Sequence, residues 1–110
     1  MSRTRPISKM KRLEMVVETS AVPAVVAVLG KHATGYTIVP NVSGFGEHGA
    51  REDDIVLLVT VTTTDHVDPI LDAIMPLLSA RSGIVMITDV TVLRAEHFIP
   101  EVRAALTRST

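Results

Sequence analysis

Two strands predicted from this sequence are apolar on both of their faces. They cover Ile55–Thr63 and Ile84–Leu93, and aliphatic side chains occupy both alternating sets of positions in each. The sets are Ile55, Leu57, Val59 and Val61 against Val56 and Leu58, and Ile84, Met86, Val90 and Val92 against Val85, Ile87 and Leu93. An antiparallel sheet covered on one side normally carries polar residues on the other. These strands need cover on both faces, so we expect a homo-oligomer in which sister subunits supply it.

The composition indicates one small domain and excludes several classes of function. A chain of 110 residues has the length of a single domain. Its formal net charge of −1 gives no basic field for nucleic acid, and one tyrosine and two phenylalanines are its only aromatic residues. Cysteine is absent, which excludes disulfides and thiolate metal sites. The basic N-terminus lacks the apolar core of a signal peptide, so we expect a cytoplasmic protein.

The hydrophobic periodicity predicts four strands and two main helices. Apolar residues recur at helical spacing after Ser20, a good N-cap with Pro23 in the first turn, and again after the cap Asp65. The predicted segments are a flexible basic arm (1–10), strand Arg12–Glu18, a helix that begins at Ser20 and ends at Gly30 or at the Gly35 turn, strand Tyr36–Pro40, a glycine-rich loop Asn41–Asp54, strand Ile55–Thr63, helix Asp65–Leu78, a tight turn Ala80–Gly83, strand Ile84–Leu93, and a tail (99–110) with a short helix Pro100–Leu106. This β-α-β-β-α-β order predicts an α+β, ferredoxin-like domain over residues 11–98, with an antiparallel sheet and both helices on one face.

A glycine motif lies in the predicted loop. Gly44-Phe45-Gly46-Glu47-His48-Gly49 matches G-x-G-x-x-G, the dinucleotide-binding fingerprint. That fingerprint needs a helix directly after the glycines, and here residues 50–54 lead into a strand, so a Rossmann site is excluded. Two readings remain: backbone N–H groups that converge on an anion, or a flexible hairpin loop.

An ordered set of segments resembles the PII signalling proteins. The segments are Lys11–Glu18 with the helix after it, Thr34-Gly35-Tyr36-Thr37, Gly44-Phe45-Gly46, Asp65–Leu78, Arg81-Ser82-Gly83 in place of the phosphate-binding B-loop, and Val85–Arg94. The resemblance implies a homotrimer that binds adenine nucleotide in clefts between subunits and signals by ordering a loop, here a short T-loop over residues 42–54. It implies a regulatory protein and no enzyme.

Departures from the PII pattern refine these expectations. The short T-loop has no tyrosine for modification, and Ile55 and Ile84 stand where PII proteins have phosphate-binding lysines. Fewer cations disfavour a triphosphate most, so we expect ADP or AMP to be preferred over ATP. The short loop most resembles the carboxysome-associated branch, which responds to adenine nucleotide and bicarbonate. The implied partner is an unidentified protein target, such as a bicarbonate transporter or a carboxysome component, with membrane association only through such a transporter.

The resemblance also assigns site residues. The implied nucleotide-binding set is Val16, Thr37 and Val61 at the purine, Gly44, Phe45 and Gly46 at the ribose and phosphate, and Arg81, Ser82, Gly83 and Arg94 at phosphate. The implied bicarbonate-binding set is Gly46, Glu47, His48, Arg51 and Arg94. An arginine offers a two-pronged fork to either anion. A solvated strand-end charge would equally explain Arg94, and pairing with a helix dipole would equally explain Arg81.

The other chemical side chains do not form a recognisable catalytic or metal motif. No serine lies in an evident Ser-His-Asp pattern, and no histidine pair has metal-ligand spacing, so no catalytic residue, metal or tightly bound cofactor is expected. The alternatives are a small-molecule regulator of the ACT-like type and a metal-linked trimer of the CutA-like type. An acylphosphatase-like enzyme would need an arginine in the loop before the first helix, which Glu18–Ser20 lacks.

Overall fold

The computed structural model of the chain describes residues 7–32, 35–46, 49–81 and 83–93, without the side chains of Ile7, 51–53 and Arg81. Its elements, in chain order, are β1 (Ile7–Glu18), a 3-10 turn (Thr19–Ala21), α1 (Val22–Lys31), β2 (Thr37–Gly46), β3 (Gly49–Thr62), α2 (Thr64–Arg81) and β4 (Gly83–Leu93). The four strands form one antiparallel sheet in the order β2-β3-β1-β4. The predicted β-α-β-β-α-β order and ferredoxin-like α+β fold are confirmed.

The core lies between the two helices and one face of the sheet. On β1 the odd-numbered residues face the helices, and Met15 lies opposite Leu58 on β3 and Val85 on β4. The fully buried side chains that meet there are Leu13, Met15, Val17, Leu58, Val25, Leu29, Ile70 and Ile74. Each buried aliphatic side chain of this size contributes about 1.5–3 kcal/mol of burial free energy. Both helices therefore cover the same face, as the split pattern predicts.

The other face of the sheet, termed here the open face, is also rich in apolar residues. Val16 lies opposite Leu57 on β3 and Ile84 on β4. Ile84 is 55% exposed, Met86 43% and Val39 43%. No helix or strand within the described ranges packs over this face. The prediction that the third and fourth strands, β3 and β4, are apolar on both faces is confirmed.

The prediction of a loop over Asn41–Asp54 is wrong. β2 continues to Gly46 and β3 begins at Gly49, so this stretch is a long hairpin rather than an irregular loop. The ladder shifts register between Val39 and Val42 and again between Val42 and Gly44, and Asn41 adopts a left-handed φ of 57°. Glycines and charges lower strand propensity, but cross-strand backbone hydrogen bonds form without apolar side chains. β-Bulges absorb the irregular residues.

Several predicted ends of elements are also corrected. β1 begins at Ile7, so the last residues of the predicted arm belong to the sheet. Ser20 is not the N-cap of α1: it lies in the 3-10 turn, and Ala21 precedes the helix without a side-chain cap. α2 begins at Thr64, which places Asp65 in its first turn, and it continues to Arg81. The predicted helix Pro100–Leu106 lies outside the described residues.

Candidate functional site

The glycine hairpin positions exposed backbone at one end of the sheet. Gly44, Phe45 and Gly46 lie on β2 opposite Arg51, Ala50 and Gly49. The Phe45 side chain is 86% exposed. A Cβ atom added at Gly46 would meet nothing within 4 Å, and one at Gly44 would make an ordinary 3.5 Å contact with Ile55 Cδ1. Packing within the chain does not require glycine at these two positions, so their bare backbone is available to a ligand.

Gly83, the first residue of β4, lies in a tightly packed site. A Cβ atom there would lie 2.6 Å from Leu78 Cδ2 and 3.1 Å from the Val16 carbonyl oxygen. Real Cβ atoms need about 3.5–4.0 Å from a carbon neighbour. Gly83 therefore lets the end of α2 and the start of β4 lie directly against β1, whatever its contact with a ligand.

The three residues predicted at the purine share the open face. Val16 on β1, Thr37 on β2 and Val61 on β3 occupy the alternate positions that face away from the helices, because Thr37 lies opposite Val59 and Val16 lies opposite Leu57. Val16 and Val61 are half-buried and Thr37 is exposed. The structure thus brings this set to one surface from three separate strands.

The glycine hairpin lies far from Thr37 and Val61 within one chain. Gly44 lies opposite Arg51, whereas Thr37 lies opposite Val59, eight residues further along β3. At roughly 3.3 Å per residue the two positions are more than about 20 Å apart. A ligand the size of a nucleotide cannot contact both groups on the same chain.

The two isoleucines predicted to stand at lysine positions lie on the open face, Ile55 on β3 towards the hairpin and Ile84 on the opposite edge strand. Ile55 lies opposite Glu18 and Ile84 lies opposite Val16. The Ser20 hydroxyl donates a hydrogen bond of 3.5 Å to the Glu18 carboxylate. The described side chains at this end of the sheet therefore offer a carboxylate and apolar surface to a ligand, and no ammonium group.

Arg12 is a functional candidate that the sequence analysis did not single out. It lies on the open face opposite Val61 on β3 and Thr88 on β4. Its Nη2 atom is 2.8 Å from Glu14 Oε1, and its Nε atom is buried without a hydrogen-bond partner in the described ranges. The sequence does contain an indication of this position: Arg12 and Glu14 alternate with the apolar Leu13 and Met15, which places both charged residues on the face opposite the core. The guanidinium places a cation beside the purine set.

Some predicted site residues cannot be placed. Glu47, His48, Ser82 and Arg94 lie outside the described residues, as do the side chains of Arg51 and Arg81. Their implied contacts with phosphate or bicarbonate stay predictions.

Two histidines meet where the helices adjoin. The rings of His32, after α1, and His66, in the first turn of α2, are 6.3 Å apart and nearly perpendicular. His66 Nε2 is 4.0 Å from Asp65 Oδ2. The Thr63 hydroxyl and the Asp65 amide, as donors, lower the pKa of Asp65. Among the side chains that the structure describes, no three histidine or carboxylate groups are arranged to bind a metal ion. No described helix is long and apolar enough to cross a membrane.

The fold and the glycine hairpin define a PII-type regulatory domain. The profile of the family "Nitrogen regulatory protein P-II" matches residues 10–97. The chain therefore belongs to the P-II family, which decides against the ACT-like and CutA-like alternatives. A comparison with curated proteins gave no match.

Solved structures of PII-like proteins share this fold. CPII from Thiomonas intermedia K12, solved with ADP, AMP and bicarbonate, is 30% identical, with a TM-score of 0.80 over 87% of this chain and 99% of that one. The same protein with ADP and bicarbonate gives a TM-score of 0.81 at 30% identity, over 86% and 99% of the two chains. A putative PII-like signalling protein from Thermus thermophilus is 22% identical, with a TM-score of 0.71 over 84% and 97% of the chains, and supports the fold alone.

Proposed function

We propose that this protein is a homotrimeric regulator that binds ADP or AMP together with bicarbonate in clefts between subunits. Its output is the order of the T-loop hairpin over residues 42–54, which selects a protein target in inorganic-carbon metabolism. That target is a bicarbonate transporter or a carboxysome component, and the protein is not an enzyme. The resemblance to the carboxysome-associated PII branch motivates the metabolic role. The similar Thiomonas protein, solved with ADP, AMP and bicarbonate, motivates the ligands.

One observation supports the site most directly: a single chain separates the two groups of candidate residues. The glycine hairpin lies at one end of the sheet, and Thr37 and Val61 lie towards the other. A nucleotide that uses both groups must take the hairpin from one subunit and Thr37 and Val61 from another. The separation therefore favours a cleft between subunits.

The two edges of the sheet differ in a way that favours assembly. β2 is protected as an edge strand by Pro40, by its register shifts and by the left-handed Asn41. β4 carries no such feature and runs in regular register against β1. Beside it lies an apolar cavity of about 370 Å³ where α2 meets β4, at Met75, Leu78 and Ile87. A long, regular, apolar edge next to an apolar open face is a surface that another subunit would cover.

The preference for ADP or AMP follows from charge. Ile55 and Ile84 remove two ammonium groups from the hairpin end of the sheet. Each additional phosphate adds negative charge that needs donors or cations. The arginines Arg51, Arg81 and Arg94 and the bare backbone around Gly46 are the groups proposed to hold one or two phosphates and the bicarbonate.

The test is isothermal titration of the full chain with AMP, ADP and ATP, each with and without bicarbonate. Chloride replaces bicarbonate at equal ionic strength, because screening alone changes the affinity of charged ligands. We expect ADP or AMP to bind more tightly than ATP, and bicarbonate to tighten the binding. An ATP affinity above that of ADP, or no nucleotide binding, would contradict the proposal. GMP serves as the control for recognition of the purine.

A further inference from the structure

A polar cavity of about 440 Å³ lies at the end of the sheet remote from the glycine hairpin. The first residues of β1 and the last residues of β4 meet the start of α2 there. Its polar lining consists of Lys9, Lys11, Asp89, Thr91 and Thr64. Lys11 lies opposite Thr62 on β3, whereas the hairpin end of β3 lies opposite Glu18 and beyond. The cavity is on the helix side of the sheet, because Lys9 and Lys11 are odd-numbered residues of β1, which face the helices.

Among the described residues that line the cavity, the charged groups are two ammonium groups and one carboxylate. The Lys11 ammonium forms an ion pair with the Asp89 carboxylate. Lys11, together with the more remote Lys9, lowers the pKa of Asp89. Lys9 forms no ion pair with any residue in the described ranges. One positive charge is left over in a concave, half-polar site.

The surroundings of the lysines add donors for an anion. α2 is 18 residues long and begins at Thr64, so its positive end adjoins the cavity. The hydroxyls of Thr64 and Thr91 line the same space.

We propose that this cavity binds a phosphate group, free or carried by a small metabolite, as a second anion site separate from the nucleotide cleft. Lys9 supplies the principal charge, and the Lys11–Asp89 pair sets the affinity, because an incoming anion competes with Asp89 for Lys11. The volume exceeds that of inorganic phosphate and falls in the range of about 300–1,000 Å³ that is usual for small-molecule pockets. A phosphorylated metabolite therefore fits as well as the free ion.

The experiment is titration of the full chain, already saturated with ADP, with inorganic phosphate and with ribose 5-phosphate at constant ionic strength. Lys9→Ala should weaken the binding of phosphate by roughly tenfold or more, the scale of one lost charge-assisted hydrogen bond. Asp89→Asn should strengthen it, because the competing carboxylate is removed. Lys31→Ala, which removes the same charge from an exposed position outside the cavity, is the matched control.

The two ligands also distinguish the source of the phosphate group. Tighter binding of ribose 5-phosphate indicates that a phosphorylated metabolite is the ligand, and equal affinity indicates free phosphate; both support the site. Equal losses in Lys9→Ala and Lys31→Ala would overturn it, since only the overall charge would matter. The absence of saturable phosphate binding to the ADP-saturated chain would also overturn it. None of these results depends on whether the ADP cleft lies between subunits.

Discussion

The backbone of Val16 and the first residue of β4 are in such close contact that a side chain on Gly83 would fit only if its neighbours moved. A Cβ atom on Gly83 would lie 3.1 Å from the Val16 carbonyl oxygen and 2.6 Å from Leu78 Cδ2. Val16 belongs to the predicted purine set and Gly83 to the predicted phosphate set. The contact joins two candidate site residues through packing. It accounts for a glycine at position 83 even if no ligand touches that residue.

Gly83→Ala should therefore destabilise the folded protein by about 1–3 kcal/mol, the usual effect of overpacking a tight site. Chemical denaturation measured by circular dichroism tests this. Gly46→Ala is the control, because its added methyl group meets open space, and its effect should stay within about 0.5 kcal/mol. Equal stability of the two variants would show that the end of α2 adjusts freely.

Assembly should depend on the open face. Ile84→Glu places a carboxylate on that apolar surface, where burial against a neighbour would be strongly unfavourable. Ile84 is exposed within one chain, so the variant should fold. In light scattering at micromolar concentration the natural chain should have the mass of a trimer and the variant the mass of one chain. Ala27→Glu, on the exposed side of α1, should leave the mass unchanged. Retention of the trimer by Ile84→Glu would place the interface elsewhere.

Arg12→Gln should weaken ADP or bicarbonate binding by about 1.5–3 kcal/mol, the value of a hydrogen bond to a charged group. The basis is the unpartnered Nε atom on the open face beside Val61. Light scattering must accompany the titration, since the guanidinium could act through assembly. Arg12→Lys keeps the charge but loses the planar fork, and should recover only part of the affinity. Unchanged affinity in Arg12→Gln would exclude Arg12 from the site.

Acid should weaken the fold through Asp89 and Asp65. The Lys11 ammonium, with Lys9, lowers the pKa of Asp89, and the Thr63 hydroxyl lowers that of Asp65. A carboxylate with a lowered folded-state pKa stabilises the protein above its unfolded pKa, and this contribution is lost as the pH falls through the folded value. Stability should therefore decline below pH about 4. Asp89→Asn should flatten that decline in unfolding experiments across pH, and an unchanged slope would contradict the ion pair.

The element order could be predicted from the sequence because the buried residues recur at every second position in β1 and at every third or fourth position in α1 and α2. The hairpin could not, because the pairing of Gly44 with Arg51 and of Gly46 with Gly49 depends on backbone hydrogen bonds rather than apolar alternation. Ser20 was mistaken for a helix cap because the extra 3-10 turn leaves no mark in the composition of that segment. The separation of Thr37 from Gly44 depends on register, and the meeting of His32 with His66 depends on helix packing; neither is encoded locally.

A subunit-mixing experiment tests most directly the central claim that each nucleotide site is shared between two subunits. Gly46→Glu places a carboxylate in open space on the hairpin, and Thr37→Tyr places a bulky ring at the exposed purine end; each variant alone should fold, assemble and fail to bind ADP. Denaturing and refolding the two variants together should restore ADP binding in roughly a quarter of the clefts. An intact cleft in a head-to-tail ring needs the hairpin of a Thr37→Tyr subunit and the purine set of a neighbouring Gly46→Glu subunit, and random mixing gives that combination in about one cleft in four. No recovery in mixed trimers of verified composition would contradict the account, because a site within one chain carries a defect in every subunit.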